Sequence, residues 1–230
     1  MSVIHRTTMT PTKLELVAAW LPGRPWYAGA GSGRQPELAK AGGFRLDDPA
    51  GEVGIEFMVV TDASGERPVA YHLPLSYRGA PLDGAEHALL GTSEHGVLGR
   101  RWIYDGVHDP VLVAQVLALL RGRAEPQAQS ESGTPDPAVT VHGPADGLPA
   151  GLEATGVAER PPHGTGVVLR TGTEDAQEQP RRTLTVARVL PAGEPAADPA
   201  GTLARVSAPW HRPDGTEARS TLLRLDEDPA

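Results

Sequence analysis

Histidines beside acidic residues are the first side chains in this sequence whose types could do chemistry. The chain has three such pairs: Glu86-His87, Glu94-His95 and His108-Asp109. Imidazole and carboxylate groups bind zinc, but the spacing of these pairs fits neither His-Glu-x-x-His nor another common zinc pattern. We therefore interpret these residues as solvated polar side chains. The sequence predicts no metal ligands, no catalytic residues and no cofactor.

A glycine-rich stretch at residues 23–39, GRPWYAGAGSGRQPELA, could cradle a phosphate group. A phosphate-binding loop of the P-loop type requires Lys-Ser or Lys-Thr after its last glycine, whereas Arg34-Gln35 follow Gly33 here. The stretch instead predicts a flexible loop that Trp26 and Tyr27 hold in place.

Four aromatic residues could contact a sugar or a protein partner: Trp26, Tyr27, Trp102 and Tyr104. Their flat apolar faces can stack on sugar rings, but large aromatic side chains also fill cores. Exposure of the four side chains distinguishes the two interpretations: if they are buried, they belong to the core and do not bind a sugar. Aromatic residues make up only 4% of the chain, so we expect Trp102 to be a core residue packed under the helix that follows it.

That helix belongs to the central stretch of the sequence, residues 99–120. An aromatic strand and a short turn precede Asp109 and Pro110, a capping residue and a proline at the first helical position. The helix then has one apolar face, formed by Val113, Val116, Leu117 and Leu120.

Other elements of the first half follow from periodicity and turn residues. They are a strand at 3–8, a helix from Thr10-Pro11 to Pro22-Gly23, strands at 52–61 and 69–77 that form a hairpin, and a short helix with a loop at 85–99. Pro74 lacks an N–H donor, which predicts an edge strand or a bulge at that point.

The second half begins with a change in composition. Residues 123–137 are rich in proline, glutamine, serine and charge and predict a linker. Short β-like runs follow at 139–141, 166–170, 184–190, 203–206 and 221–225, with a hairpin turn at Pro213-Asp214-Gly215. We predict a first domain at 1–122, the linker, and a smaller, mostly antiparallel β module at 138–230.

Charge and composition exclude several classes of function. The chain has 21 basic and 29 acidic residues and a formal net charge of −8, which disfavours binding to nucleic acid or to an anionic membrane. It has no cysteine, no apolar run long enough to span a membrane and no secretory signal at its start. We therefore expect a cytoplasmic protein.

Three segments together resemble a known family: WLPGRPWYAG (20–29), HLPLSYRGAPL (72–82) and LGRRWIYDGVHDPV (98–111). They are similar to the N-terminal cap domain of actinobacterial maltokinases, which are kinases of the aminoglycoside-phosphotransferase-like class. The resemblance implies an α+β fold over residues 1–122, with a curved, cystatin-like antiparallel sheet packed on helices. It also implies that this domain carries no catalytic residue.

The catalytic loop and the large helical C-lobe of such a kinase have no counterpart in this sequence. His108-Asp109 does not resemble the catalytic loop, because Pro110 opens a helix directly after it. Residues 183–195, TLTVARVLPAGEP, are similar to the strand that carries the phosphate-anchoring lysine, and Thr185 occupies the lysine position. The second half therefore resembles a degenerate kinase N-lobe.

These observations lead to three hypotheses. The first is a standalone, non-catalytic accessory or interaction protein whose partner is an enzyme of α-glucan, maltose, glycogen or trehalose metabolism. The second is a component of an ATP-dependent sugar kinase that is active only with a partner. The third is a small-carbohydrate-binding module that uses the four aromatic residues.

Overall fold

The structure is a computed structural model that describes residues 8–131, 133–143, 148–160, 164–171, 181–191 and 199–228. Within these ranges the chain forms 13 strands and two α-helices, α1 (Lys13–Trp20) and α2 (Pro110–Leu120). The strands are β1 (Met9–Thr10), β2 (Leu38–Leu46), β3 (Gly54–Asp62), β4 (Val69–Arg78), β5 (Leu89–His95), β6 (Gly99–Asp105), β7 (Thr140–His142), β8 (Leu152–Arg160), β9 (Gly164–Thr171), β10 (Arg182–Ala187), β11 (Val189–Leu190), β12 (Thr202–His211) and β13 (Glu217–Glu227).

All of these strands belong to one antiparallel sheet. Its main path has the order β1-β5-β6-β4-β3-β2-β12-β13-β10-β9-β8, while β11 pairs with β4 and β7 pairs with β12. The sheet is not closed, and few helices accompany it. The predicted α+β class is therefore confirmed only in its antiparallel sheet; the expected packing of that sheet on helices is not well supported.

Helix α2 packs into the main hydrophobic core. Asp109 caps it by accepting a hydrogen bond from the backbone N of Val111 at 2.9 Å, and Pro110 is the first helical residue, as predicted. All four residues of the predicted apolar face are buried. The same core contains Phe57 of β3 and Leu223 of β13, so it includes side chains from both halves of the chain.

The hairpin predicted at 52–61 and 69–77 is confirmed as β3 paired with β4. Alternate residues of β3 enter two different cores: Phe57 lies in the main core, and Met58 lies in a second core with side chains of α1. Both faces of this part of the sheet are therefore covered.

Pro74 lies inside β4, opposite Phe57 of β3. On the other side of β4, the pairing with β6 begins at Leu75, and the pairing with β11 covers Ala70 and Tyr71. The proline therefore lies in the gap between two partner strands, where no ladder donor is required. The predicted edge strand or bulge is wrong, since β4 is an interior strand with a regular register against β3.

Two other predicted boundaries in the first half are wrong. Helix α1 begins after Thr12, because Thr12 and Glu15 form a capping box there. Residues 85–99 form a 3₁₀ turn at Glu86–Ala88 followed by β5, because pairing with β6 imposes the strand. The strand predicted at 3–8 falls on residues outside the described part of the chain, apart from its last residue.

The second half contains the predicted β runs and one further strand. The turn at 213–215 is confirmed: Arg212 donates its backbone N–H to the carbonyl of Thr216 at 2.9 Å, and Gly215 has a φ of +82°. Trp210 is buried, and its Nε1 donates to Ser220 Oγ at 3.0 Å. The additional strand, β8, is mostly exposed, so its sequence lacks the alternation that would predict it.

The two halves join within the sheet at β2 and β12, where Gly42 is paired with Trp210. The backbones approach closely there, since a Cβ atom on Gly42 would lie 3.0 Å from the Cα atom of Trp210. Strand β2 is also close to β3. A Cβ atom on Gly43, whose φ is +124°, would lie 2.0 Å from the carbonyl oxygen of Phe57, so only glycine fits.

The predicted linker also contacts the first half. Gln127 and Arg45 exchange two backbone hydrogen bonds of 2.9 Å, and the side-chain amide of Gln129 donates to Glu56 at 3.1 Å. The division into units at 1–122 and 138–230 stays a prediction. The shared core nevertheless leads us to expect that both parts unfold together.

Candidate functional site

The three segments singled out in the sequence come together around the end of β6. Arg78 of the second segment is paired in the sheet with Trp102 of the third. The backbone N–H of Leu82 donates to the Tyr104 hydroxyl at 2.9 Å. Trp26 of the first segment packs on Tyr71, directly before the second segment, with ring centres 6.0 Å apart. We call this region the motif cluster.

Asp109, in the third segment of the motif cluster, forms an ion pair with Arg78 of the second segment. Arg78 donates two hydrogen bonds to its carboxylate, from Nε and Nη2, both 2.7 Å long. Burial raises the pKa of Asp109, but the hydrogen bond from Arg78 and further donors outweigh burial and hold the pKa below its usual value. The carboxylate therefore stays ionised, and it links β4 to the start of α2.

Two of the predicted aromatic contact residues, Trp26 and Tyr27, are only 2% and 4% exposed. Both contact Tyr71, and the Tyr27 hydroxyl donates to Asp62 at 3.0 Å. Their faces are covered by protein in this structure, so neither presents a flat surface to a sugar.

The other two aromatic candidates differ from each other in exposure. Tyr104 is 2% exposed, whereas Trp102 is half-buried. Both pack against Ala85 and Ala88. The prediction that Trp102 packs under α2 is wrong, because the turn at 85–89 covers it and α2 packs in the main core instead.

A buried ion pair joins the end of β6 to the second half of the chain. Arg188 lies between β10 and β11 and is fully buried. Its Nη2 donates to both carboxylate oxygens of Asp105, at 2.8 and 2.6 Å, and its Nε donates to Thr165 Oγ1 at 2.8 Å. The guanidinium carbon lies 5.1 Å from the centre of the Trp26 ring. This pair occupies the gap beside Pro74.

His72 lies next to this pair and is also fully buried. Its Nδ1 lies 2.9 Å from the carbonyl oxygen of Ala187, and its backbone N donates to the carbonyl of Arg188 at 2.9 Å. Burial lowers the pKa of His72 to about 3, and the positive charge of Arg188 acts in the same direction. The imidazole is therefore neutral at physiological pH.

This buried histidine predicts a loss of stability in mild acid. His72 titrates near 6.5 when exposed and near 3 in the folded protein, so between these values the unfolded chain binds the extra proton. We expect the free energy of unfolding to be unaffected above this range and to fall within it by up to about 1.4 kcal/mol per pH unit. Urea unfolding at about pH 7, 6 and 5 measures this slope.

His72→Asn is the informative variant, because it removes the titrating group but can keep a donor to Ala187. The slope should become shallower in the variant. His108 also has a lowered pKa, mainly through burial, and accounts for part of the slope. Carboxylates such as Glu56 add their own loss only below about 4.5, the usual pKa of a glutamate. Equal slopes for wild type and variant above that pH would contradict the prediction.

Two of the histidines considered as metal ligands come together. His87 Nε2 and His108 Nδ1 lie 3.2 Å apart. The neighbouring carboxylates have other partners: Glu86 accepts from the backbone of Gly84, and Glu94 pairs with Arg100. In the described ranges, no three His, Cys, Asp or Glu residues form a group that could hold a metal ion.

The glycine-rich loop uses its backbone donors internally. The N–H groups of Ala30 and Ser32 donate to the carbonyls of Tyr27 and Gly29, and the N–H of Arg34 donates to the Ser32 hydroxyl. These successive turns leave those donors occupied, unlike the donors of a phosphate-binding loop.

Thr185, at the position of the kinase lysine, lies within the sheet. It is paired with Gly166 of β9 and Arg224 of β13, and its hydroxyl donates to Asp226 at 3.4 Å. A threonine supplies no positive charge for a nucleotide phosphate.

Sequence reasoning missed the Asp105–Arg188 pair and the role of His72. The two members of the ion pair are 83 positions apart. Neither belongs to a spacing that indicates chemistry, so no local signal could have found them.

A comparison with known protein families found a match for part of this chain. Residues 20–109 match the maltokinase N-terminal cap domain. The match confirms the resemblance drawn from the three segments, over a narrower range than the expected 1–122. No helix in the described part of the chain is long and apolar enough to cross a membrane.

Proposed function

We propose that this chain, whose residues 20–109 match a maltokinase N-terminal cap domain, is a non-catalytic accessory or interaction protein. Its partner would be an enzyme of α-glucan, maltose, glycogen or trehalose metabolism, in the cytoplasm. The family match carries this proposal, because a cap domain implies a link to a maltokinase-like kinase. A standalone role for the chain is part of the proposal.

The contacts of the motif cluster support a structural use of its charged residues. Asp109 is held by Arg78, and Asp105 is held by Arg188. A carboxylate whose oxygens are already bound by an arginine has little capacity left to accept a substrate proton, so it is a poor general base. Both acidic residues of the third segment therefore serve to hold the sheet, α2 and the second half together.

A sugar-kinase component is the second candidate. The observation that favours it is the family match itself, since the matched domain belongs to kinases. In this version a partner supplies the catalytic lobe and the phosphate-anchoring charge that Thr185 lacks. The two candidates differ in whether the complex releases ADP.

Carbohydrate binding by the chain alone is the third candidate. Only one of the four aromatic residues proposed for it, Trp102, is partly exposed. Trp102 is half-buried, whereas Trp26, Tyr27 and Tyr104 are buried. One partly exposed indole offers little of the flat surface that sugar stacking requires. A sugar-binding role for the buried three would require the motif cluster to open.

Co-purification tests the proposed function. We expect the tagged full-length chain, recovered from its native cells, to enrich an enzyme that acts on α-glucan, maltose or trehalose, identified by mass spectrometry. The control is the same tag expressed in the same cells without the chain. Enrichment of no such enzyme over this control would contradict the proposal.

The same preparations separate the accessory role from the kinase role. The purified chain alone should release no ADP from ATP and magnesium with maltose, glucose or glucosamine. Turnover near about 1 s⁻¹, the low end for kinases, would contradict the non-catalytic assignment. Turnover that appears only in the co-purified complex, and exceeds that of the partner alone, would favour the kinase-component candidate.

A further inference from the structure

Among the buried nitrogen donors that have no hydrogen-bond acceptor in the described part of the chain, four belong to residues that contact one another. They are Trp20 Nε1, Arg24 Nε, Trp26 Nε1 and Arg188 Nη1. Buried polar groups in folded proteins are nearly always hydrogen-bonded, and an exception often marks a missing water, ion or ligand. Because all four are donors, the missing partner must be an acceptor.

These four residues form one continuous set of contacts, which we call the donor cluster. The guanidinium carbon of Arg24 lies 4.6 Å from the centre of the Trp20 ring. The Trp20 and Trp26 ring centres are 5.9 Å apart, and the guanidinium of Arg188 lies 5.1 Å from the Trp26 ring. The four residues that carry the unpartnered donors are therefore neighbours in the fold.

Charge in this region favours an anion. The positive charges of Arg188 and Arg24 both act to lower the pKa of His108, and the negative charge of Asp105 acts to raise it. Both oxygens of Asp105 are bound by Arg188. The guanidinium of Arg24 has no carboxylate or carbonyl acceptor among the residues that the structure describes. The region is positive although the chain as a whole has a net charge of −8.

We propose that the donor cluster binds an oxyanion, either a carboxylate or a phosphoryl group. A guanidinium presents two parallel N–H donors that match two oxygens of such a group. Arg24 is partly exposed and makes the first contact from solvent. The indole N–H of Trp26 and Nη1 of Arg188 are covered by protein, so the motif cluster must open before they can supply the inner donors.

The oxyanion has two possible sources with the same binding chemistry. A phosphoryl group would come from a small phosphate ester, and a carboxylate would come from an acidic side chain of a protein partner. Tetrahedral and planar groups differ in oxygen number and charge, so their relative affinities distinguish the sources. This site is independent of the proposed function, since it rests on unpartnered donors and not on the family match.

Titration of the full-length chain with inorganic phosphate and with acetate tests the site. Tryptophan fluorescence is a direct readout, because Trp20 and Trp26 are two of the four tryptophans in the chain. Sodium chloride at equal ionic strength controls for screening. We expect saturable binding of at least one oxyanion. Tighter binding of phosphate indicates a phosphoryl ligand, and tighter binding of acetate indicates a carboxylate.

Arg24→Gln is the test variant, and Arg67→Gln is its matched control. Arg67 is exposed and lies outside the donor cluster. Arg24→Gln should weaken oxyanion binding at least about tenfold, the effect expected for losing a charge-assisted hydrogen bond, while Arg67→Gln should bind as wild type does. Unliganded melts of both variants establish that they are folded. No saturable response to either oxyanion, or equal binding by the two variants, would overturn the proposal.

Discussion

Replacing Arg188 with methionine is expected to lower the free energy of unfolding by about 3–5 kcal/mol. The side chain is fully buried and binds Asp105 and Thr165. Methionine fills much of the same volume but leaves the Asp105 carboxylate buried without its counter-charge. Removing one member of a buried ion pair is costly because the other member can neither return to water nor find a new partner. Urea unfolding of the full chain measures the loss.

Two further variants make this expectation specific to the buried pair. Arg100→Met removes an arginine from the exposed pair with Glu94, and exposed pairs contribute little, so its effect should stay within about 1 kcal/mol. The double variant Arg188→Met with Asp105→Leu should recover most of the loss, because apolar residues can replace a buried ion pair at little cost. A single variant as stable as wild type, or a double variant no better than the single one, would show that the pair does not stabilise the fold.

Replacing Phe57 with alanine is expected to cost about 3–5 kcal/mol, the usual range for emptying an aromatic core position. Its ring is fully buried and stacks on Phe44, with ring centres 4.5 Å apart. It also lies on His72 and in the main core that α2 and the strands of the second half share. The cavity left by alanine would face all of these elements, so relaxation could not easily fill it.

The same variant tests whether the chain unfolds as one unit. We expect a single transition in far-UV circular dichroism, shifted to lower urea, that coincides with the transition in tryptophan fluorescence. Val97→Ala is the control, because that side chain is 61% exposed at the β5–β6 turn and should change stability by less than about 0.5 kcal/mol. Two separate transitions, with only the first affected by Phe57→Ala, would support independent units at 1–122 and 138–230.

For Trp102, the neighbouring residues in the sequence predicted the secondary structure correctly but not the residues that cover its side chain. Its alternation with Tyr104 correctly indicated a strand, and the short turn to Asp109 correctly indicated that a helix follows. What covers the indole could not be inferred, because the covering turn around Ala85 and Ala88 comes from an earlier part of the chain. We now expect a smaller stability loss for Trp102→Ala than for Phe57→Ala, since half-buried side chains lose less contact area.

The sequence by itself determined the elements whose signals are local. The cap and proline at the start of α2, the alternation of β3 and β4, and the turn at 213–215 each depend on a few adjacent residues. The same holds for the three motif segments, because their amino-acid sequences alone indicated the cap domain that residues 20–109 match. Local propensity and short spacing carry this information directly.

Only the tertiary structure decided what these elements face. It placed Pro74 in a gap between β6 and β11 and brought Arg188 to Asp105 across 83 positions. It also left Arg24 Nε and Trp26 Nε1 without an acceptor among the residues that the structure describes. Each of these facts depends on which distant strands pair, and strand pairing is set by the burial of whole faces. The spacing of residues within one segment does not indicate which distant strand that segment will pair with. The candidate oxyanion site therefore exists only in the folded chain.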